Sequence, residues 1–484
     1  MKGLNIIPYP NSVEYLGEDI SVENIDIRLS SQTITDKIAD PEGYELSISE
    51  WGIKILAGGE PGAFYAKQTL KQLAATGEGT LPCATIRDEP AYAYRGFMLD
   101  SVRHMTALDD IKKMIDAAAL LKFNVFHWHL TDDQGWRIEI ESHPRLNEIG
   151  STRASSDFGK VHTNKEYGGD YTKRELKEIV DYCAKRFIDV IPEIDMPGHM
   201  IAAIASYPGV SCTGEQIPVE TRQGVFPDIL CAGKDETFEL VFDVLSEILD
   251  IFPSKYIHIG GDEAPKKRWA ECPDCQRRIS ELGLNDEEEL QGWFVNRIAD
   301  YLRQNGRKTI AWNESLKSGL LNDDILVQMW MDKKKLSVDY ANNGGKLIIS
   351  PYFYYYTDYP YGMTPLNKTY KFNPLLKGIN EDDFNNVVGV EVPIWTEHVR
   401  DFKHMSYMIY PRFAAVAETG WTKPEIKDAK DFTARMERFV PQLEAIGITP
   451  ADPPEWNPNP LQRVIQTVKF FSGNLTKDMI KGYE

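Results

Sequence analysis

The sequence predicts an α/β fold, a (β/α)8 TIM barrel preceded by a small α/β domain. Eight short apolar runs follow residue 94, and most alternate with longer segments of helical periodicity, which is typical of a closed parallel barrel. The length of 484 residues exceeds one ordinary domain and fits a large barrel with an accessory domain. We assign residues 1–90 to the small domain, 91–450 to the barrel and 451–484 to a C-terminal extension of unassigned role.

In the first 90 residues, two extended segments, 44–47 and 52–56, precede a helix predicted at 62–73. Apolar side chains recur there at near-helical spacing, namely Phe64, Ala66, Leu70 and Leu73. The charged stretch 86–90 ends in proline and marks the boundary of the domain.

The eight predicted barrel strands are residues 96–100, 125–130, 190–195, 256–263, 309–314, 325–330, 346–352 and 387–397. Helices are predicted at 108–121, 173–186, 235–249, 286–304 and 406–419, with a weaker one near 333–340. A helix near 428–440 would complete the barrel, and a Pro/Asn-rich segment, 453–460, links it to the tail 461–484.

The composition excludes some partners. A net charge of −19 disfavours nucleic acid and anionic membranes, and no apolar stretch approaches the roughly 18 residues that span a bilayer. Residues 1–8 lack the apolar core of a signal peptide. We therefore expect a cytoplasmic protein if the chain is complete, and a periplasmic or secreted one if a signal was removed. The sequence carries no signal for a particular oligomeric state.

Barrel enzymes collect their chemistry at the carboxyl ends of the strands, and in this chain polar or aromatic residues close or follow each run. The candidate site residues chosen on this basis are Arg103, Asp132, Asp195, His199, Asp262, Glu263, Trp312, Trp330, Tyr356, Asp358, Trp395 and Glu397.

The adjacent carboxylates Asp262 and Glu263 follow two glycines at the end of the fourth run. By itself such a pair is more typical of a helix start, but the other strand ends favour catalysis. Glu263 is the candidate general acid, since glycosidic cleavage needs a carboxyl group that stays protonated. Two neighbours cannot easily flank a sugar as acid and nucleophile. Asp262 would instead orient a nucleophile carried by the substrate, such as a 2-acetamido group.

The remaining candidates fit a sugar pocket. Arg103, Asp132 and Glu397 could grip vicinal hydroxyls, or form a buried ionic network at the barrel mouth. The three tryptophans could wall a sugar ring, or belong to the core. Asp195 and His199 could form a dyad that tunes Glu263, or His199 could be structural.

The sequence predicts neither a cofactor nor a catalytic metal, because it contains no G-x-G-x-x-G, Walker or H-E-x-x-H motif. Cys272-Pro-Asp-Cys275 is half of a zinc pattern without a second C-x-x-C or H-x-x-x-H nearby. A surface turn with free thiols is the favoured interpretation and a structural zinc the alternative. In an oxidising compartment, Cys272–Cys275 and Cys212–Cys231 are candidate disulfides.

An ordered set of motifs closely resembles glycoside hydrolase family 20, the β-N-acetylhexosaminidases. The motifs are RGFMLDSVRH (95–104), FHWHLTDDQGW (126–136), EIDMPGH (193–199), HIGGDE (258–263), VQMW (327–330) and VEVPIWTE (390–397). The resemblance covers about residues 94–425, and the N-terminal domain resembles the small α/β domain that commonly precedes this barrel.

The resemblance implies exo-acting, retaining hydrolysis of terminal β-linked GlcNAc or GalNAc with the 2-acetamido group as nucleophile, an exception to the general two-carboxylate scheme. Asp262 would orient that group and Glu263 would act as acid, then base. Tyr356 would hydrogen-bond the acetamido oxygen, the tryptophans would enclose the sugar, and Arg103, Asp132 and Glu397 would bind its 3- and 4-hydroxyls. The alternatives are a lacto-N-biosidase, a variant specific for sulfated GlcNAc, and a catalytically silent glycan-binding protein.

Overall fold

A computed structural model describes residues 3–25, 30–332 and 335–474. The N-terminal domain is a five-stranded sheet whose strands, in sheet order, are Ser12–Tyr15, Ala84–Asp88, Tyr44–Ser49, Gly52–Ala57 and Ser31–Ile34. Side chains of Tyr44–Ser49 alternate between buried and half-buried, and the buried set packs with residues of helix Glu60–Thr76. The strands and helix predicted in this domain are present, each somewhat longer than predicted.

The barrel prediction is confirmed. Its eight strands are Tyr94–Asp100, Val125–His129, Asp189–Glu193, Tyr256–His258, Lys308–Trp312, Leu326–Met329, Leu347–Ile349 and Val387–Ile394. All neighbouring pairs are parallel, and the eighth strand closes the barrel on the first, with Gly389 opposite Tyr94. Closure leaves no free edge and brings the carboxyl ends of all eight strands to one face.

Several strands end earlier than the apolar runs predict. The fourth ends at His258 rather than at residue 263, and the eighth ends at Ile394 rather than at residue 397. In the fourth strand the cause is local, because Gly260 and Gly261 adopt φ of +69° and +101°, which no strand residue adopts. The polar residues beyond these points therefore lie in loops at the mouth of the barrel.

The predicted helices are present as Leu108–Leu120, Lys173–Ala184, Asp235–Ile251, Glu287–Gln304 and Ala429–Ile446. The segment predicted at 406–419 is two helices, Phe402–Ile409 and Arg412–Trp421, separated at Pro411, since proline cannot continue a helix. The weak helix predicted near 333–340 is Leu336–Asn342, and residues 333–334 lie outside the described residues. Shorter helices occupy the other connections, Ile201–Ser206, Lys267–Glu271, Pro273–Leu282, Tyr352–Tyr355 and Leu366–Lys371.

Across the part of the chain that the structure describes, no helix has both the length and the apolar character needed to cross a bilayer.

The barrel interior is filled in layers. Six residues form an apolar layer, Tyr94, Val125, Ile191, Ile310, Leu326 and Ile348. The residues two positions further along several of these strands point inward again and form a polar layer in which Glu391 contacts His127 at 2.9 Å and Gln328 at 2.6 Å. The barrel is therefore closed beneath its mouth.

The C-terminal extension, left unassigned by the sequence, contains helix Pro460–Asn474. Gln466 accepts a hydrogen bond from the backbone N–H of Gly362 at 2.6 Å, and Arg463 donates to the carbonyl of Gly362 at 3.1 Å. The ring of Phe470 lies 5.3 Å from that of Tyr359. These contacts attach the helix to the loop that follows the seventh strand.

Buried ionic contacts join the N-terminal domain to the barrel. Arg95 pairs with Glu42 at 2.8 Å, and Lys122 pairs with Asp88 at 3.0 Å. The indole N–H of Trp421 also donates to Asp88, at 2.9 Å.

Candidate active site

Loops at the carboxyl ends of the strands enclose a cavity of about 190 Å³. Every site residue predicted from the sequence lines it except Trp312, namely Arg103, Asp132, Asp195, His199, Asp262, Glu263, Trp330, Tyr356, Asp358, Trp395 and Glu397. Trp312 is buried and belongs to the same aromatic cluster as Trp330 and Tyr356. Its indole N–H donates to Glu193 at 2.8 Å, so Trp312 supports the wall of the cavity.

Two glycines position the acid pair. A Cβ on Gly260 would lie 1.6 Å from Oδ1 of Asp195, so no larger residue fits there. The backbone N–H of Gly261 donates to the same oxygen at 3.2 Å. The turn ends with Glu263 at φ +44°, a left-handed conformation that costs non-glycine residues free energy and is common at functional sites. The glycines and Asp195 together direct the two carboxylates to the cavity.

Asp262 carries an unsatisfied acceptor. Its Oδ1 is buried and has no hydrogen-bond partner among the described residues. Burial, reinforced by the neighbouring carboxylate of Glu263, raises the pKa of Asp262 to about 7. Unpaired buried polar atoms are costly in native proteins. A ligand with an N–H group would satisfy this oxygen.

A row of alternating carboxylates and imidazoles leads from the barrel interior to Glu263. His129 links Glu193 and Asp132, at 2.5 and 2.9 Å. His199 continues the row, with Nδ1 3.1 Å from Asp132 and Nε2 3.6 Å from the Glu263 carboxylate. Although burial opposes a charge on this ring, Asp132 and Asp195 raise the pKa of His199 well above its usual value.

The side chains of the predicted Asp195–His199 dyad lie close together, with atoms within 4.8 Å of each other, but they bond to different partners. His199 Nδ1 lies 3.1 Å from Asp132 and 3.4 Å from Asp133, while Asp195 receives the backbone N–H of Gly261. The close turn at Gly260 also brings the Asp195 carboxylate against the acid-bearing loop. Asp195 acts on His199 through charge and on the acid pair through the backbone.

Arg103 is held by carboxylates on one side of the cavity. Its guanidinium contacts Asp132 at 2.7 Å, Asp100 at 3.2 Å and Glu397 at 3.7 Å. Asp132 also accepts bonds from His129 and His199, so its oxygens are largely occupied within the protein. Burial raises the pKa of Glu397, and its longer distance from Arg103 leaves both groups able to take up hydroxyl groups.

Aromatic rings form another part of the cavity wall. Trp330 and Tyr356 lie nearly parallel, with centroids 6.5 Å apart and planes at 28°. The indole nitrogen of Trp330 and Oδ1 of Asp358 are buried without a hydrogen-bond partner among the described residues. Burial also raises the pKa of Asp358 well above its usual value. The cavity thus combines flat apolar faces with unpaired polar atoms, as a sugar site requires.

Sequence reasoning missed eight lining residues, Gln223, Gly224, Val225, Tyr352, Tyr359, His398, Phe470 and Phe471. The tyrosine-rich segment at the end of the seventh run could have indicated Tyr352 and Tyr359 as lining residues. The position of Phe470 and Phe471, about 75 residues past the last strand, gave no signal, because only the path of the C-terminal helix brings them to the cavity.

The predicted surface turn at Cys272 and Cys275 is wrong, since both residues are buried. The structure places Cys212 and Cys231 beside them. Sequence reasoning missed this grouping because these two cysteines lie on a different loop and are not spaced as C-x-x-C.

Comparison with known proteins gives a consistent picture. Residues 92–424 match the family model "Glycosyl hydrolase family 20, catalytic domain", and residues 21–89 match "Glycosyl hydrolase family 20, domain 2". A β-hexosaminidase of Porphyromonas gingivalis is 41% identical over 84% of this chain and 54% of its own length. One from Akkermansia muciniphila is 36% identical over 89% of each chain. The chain thus spans about half of the first relative and most of the second.

Solved structures agree with the sequence matches. The crystal structure of a β-N-acetylhexosaminidase superimposes with a TM-score of 0.85 at 34% identity, covering 91% of this chain and 96% of the other. A GH20 exo β-N-acetylglucosaminidase from Vibrio harveyi in complex with N-acetylglucosamine gives a TM-score of 0.84 at 29% identity, covering 94% and 79%.

Proposed function

Because the chain belongs to glycoside hydrolase family 20, we propose that it is an exo-acting β-N-acetylhexosaminidase that removes terminal β-linked GlcNAc or GalNAc with retention of configuration. The unpaired, buried Oδ1 of Asp262 carries this proposal. A 2-acetamido group supplies the N–H that this oxygen lacks. The relative from Vibrio harveyi, solved with N-acetylglucosamine, supports the same sugar class.

In the proposed reaction, Asp262 accepts the acetamido N–H and turns the acetamido oxygen towards the anomeric carbon. That oxygen attacks while Glu263 gives its proton to the leaving glycosidic oxygen. Glu263 then removes a proton from water, which opens the cyclic oxazolinium intermediate and restores the acid. The substrate supplies the nucleophile, so two adjacent carboxylates suffice where other glycosidases need two facing ones.

The other cavity residues have supporting roles in this proposal. Arg103 and Glu397 bind the 3- and 4-hydroxyls, while Asp132 holds Arg103 and His199 in place. Tyr356 donates a hydrogen bond to the acetamido oxygen, and Trp330 and Trp395 enclose the ring. His199 lies 3.6 Å from Glu263 and stabilises the carboxylate that forms when Glu263 has given up its proton.

The cavity volume separates the proposal from its close alternatives. About 190 Å³ is below the range of roughly 300–1,000 Å³ for sites that take drug-sized ligands. It suits one enclosed sugar and disfavours a pocket that encloses both sugars of the unit that a lacto-N-biosidase releases. The Arg103 guanidinium is already held by Asp100 and Asp132, which disfavours its use for a sulfate group.

The roles of the two acids can be separated by the choice of leaving group. We expect Glu263→Gln to lower kcat/KM for N,N′-diacetylchitobiose by about 10²–10⁴-fold and to retain far more activity on an aryl glycoside whose leaving group needs no proton. Asp262→Asn should lose activity on both substrates, because the nucleophile is affected. Glu271→Gln, on an exposed position of the next helix, is the matched control.

Full activity of Glu263→Gln on chitobiose would refute its role as acid. A thiazoline analogue of the cyclic intermediate should inhibit the wild type strongly, and lack of inhibition would count against the acetamido nucleophile. Glycan binding without turnover at any pH would instead indicate a silent glycan-binding protein.

A further inference from the structure

Four cysteines from two separate loops converge on one point. The Sγ atom of Cys231 lies 3.5 Å from that of Cys275 and 3.7 Å from that of Cys272. The Sγ atoms of Cys212 and Cys275 are 3.8 Å apart, and all four sulfurs lie within 4.8 Å of one another. Cys231, Cys272 and Cys275 are buried and Cys212 is partly buried.

These distances match the geometry of a tetrahedral metal centre. Thiolate sulfur lies about 2.3 Å from Zn²⁺ in tetrahedral sites, so two ligands of one ion are separated by about 3.8 Å. A disulfide would need two sulfurs at about 2.05 Å, and it would pair cysteines rather than gather four. We propose that Cys212, Cys231, Cys272 and Cys275 form a structural zinc site.

The backbone around the cluster is shaped for this purpose. Cys272 precedes helix Pro273–Leu282 and Cys275 lies in its first turn, where the free N–H groups of a helix start favour thiolates. Gly233 packs against this turn so closely that a Cβ there would lie 2.2 Å from the carbonyl carbon of Asp274. The loop carrying Cys231 can therefore reach the helix start only with glycine at position 233.

The surrounding charges suit the same ion. Four thiolates around Zn²⁺ carry a net charge of −2, which needs nearby cations when partly buried. Arg278 donates to the carbonyl of Gly233 at 3.1 Å, and Lys234 donates to the carbonyl of Ser211 at 2.7 Å. Each cation is thus bonded to backbone within two residues of a cysteine ligand.

A site with four protein ligands has no open position for a substrate, so its role is structural. Cys212 and Cys231 lie on the loop after the third strand, on either side of the cavity residues Gln223–Val225. Cys272 and Cys275 follow the loop that carries Asp262 and Glu263. One ion would therefore fasten two of the loops that form the cavity.

Metal analysis of the purified protein, grown with added zinc, tests the proposal directly. We expect elemental mass spectrometry to find one zinc ion per chain. Titration of four thiols with a mercurial reagent should release that zinc. Replacement by Co²⁺ should give the intense thiolate-to-cobalt absorption of a tetrahedral site. Protein without zinc that also takes up no cobalt would overturn the proposal, as would disulfides among these cysteines found by peptide mapping.

Variants provide an independent test. Cys275→Ser should retain at least tenfold less zinc than the wild type and melt at a lower temperature, whereas the control Cys83→Ser, a cysteine outside the cluster, should keep its zinc. If Cys275→Ser does not fold, the wild type stripped by a chelator replaces it, and its melting temperature should recover when zinc is returned. Equal zinc in Cys275→Ser and Cys83→Ser would contradict the assignment.

Discussion

At the scale of single residues, the site depends on a carboxylate kept in an unfavourable environment. Asp262 is largely buried beside Glu263, with 13% of its side chain exposed. This burial raises the pKa of Asp262 to about 7, while its Oδ1 has no hydrogen-bond partner among the described residues. Since no group of the described residues bonds to this acceptor, the N–H of a bound ligand can take that position. An unpaired acceptor lowers the stability of the free protein, and a hydrogen bond to that acceptor would help to orient a bound substrate.

This environment predicts how stability depends on pH. The folded-state pKa of Asp262 lies above the unfolded value, so its neutral form favours folding at low pH and that contribution is lost as pH rises through about 7. Each pKa unit corresponds to about 1.4 kcal/mol, so ionisation costs the folded protein on the order of a few kcal/mol. Asp262→Asn should therefore be more stable than the wild type at pH 8, with a smaller difference near pH 4.

Urea unfolding across this pH range measures the effect, with the exposed Asp36→Asn as control. A stability difference between wild type and Asp262→Asn that stays constant with pH would show that Asp262 ionises normally.

The positions of many cavity residues could be predicted from the sequence, because they depend on short stretches of the chain. Asp262 and Glu263 directly follow a strand and two glycines, and the rule that barrel chemistry collects at strand ends needs no tertiary information. The cysteine cluster and the Asp132–His199 hydrogen bond were not predictable in this way. Both depend on how two separate loops pack, which spacing along the chain does not encode.

At the scale of elements, helix Pro460–Asn474 extends the cavity beyond the barrel. Phe470 and Phe471 line the cavity together with His398 and Tyr359, and Phe470 packs against both of those rings at 5.3 Å. The barrel loops carry the acid pair, whereas the helix contributes only apolar rings. We therefore expect these rings to contact the sugar on the leaving-group side of the bond.

Phe470→Ala tests this role. Aromatic contacts contribute about 0.5–1.5 kcal/mol beyond area burial, so kcat/KM for a GlcNAc trisaccharide should fall by about 2- to 12-fold. A methyl β-glycoside, which lacks further sugars, should be hydrolysed almost as well as by the wild type. Phe384→Ala, an exposed phenylalanine outside the cavity, serves as control. Equal losses on both substrates would indicate a general structural effect.

At the scale of the whole molecule, the two domains are joined by buried charges rather than by apolar contacts alone. Lys122 is fully buried against Asp88, which also accepts from Trp421. By contrast, Lys423 pairs with Glu89 across the same boundary at 3.3 Å, and both of these side chains are about half exposed. The two lysines differ mainly in their access to water.

Their replacement should have very different effects. Lys122→Met leaves Asp88 buried without its cation and should lower the free energy of unfolding by about 3–5 kcal/mol. Lys423→Met should change it by no more than about 1 kcal/mol. Position 122 has a φ of +62°, a strained conformation for lysine and methionine alike. The backbone strain is therefore the same in the wild type and in Lys122→Met and does not contribute to the difference in stability. Chemical unfolding of both variants gives the comparison, and similar losses would exclude a special role for the buried pair.

The closed interior of the barrel has a consequence for the order of events on a glycan. Apolar and ionic layers fill the space beneath the cavity, so a sugar that enters cannot pass deeper. With the proposed binding of the 3- and 4-hydroxyls at the closed end of the cavity, a terminal sugar capped at either hydroxyl would have no room for the cap. If the proposed exo activity holds, enzymes that remove capping sugars would act first, and each cleavage would expose the next sugar of the chain to the hydrolase that recognises it.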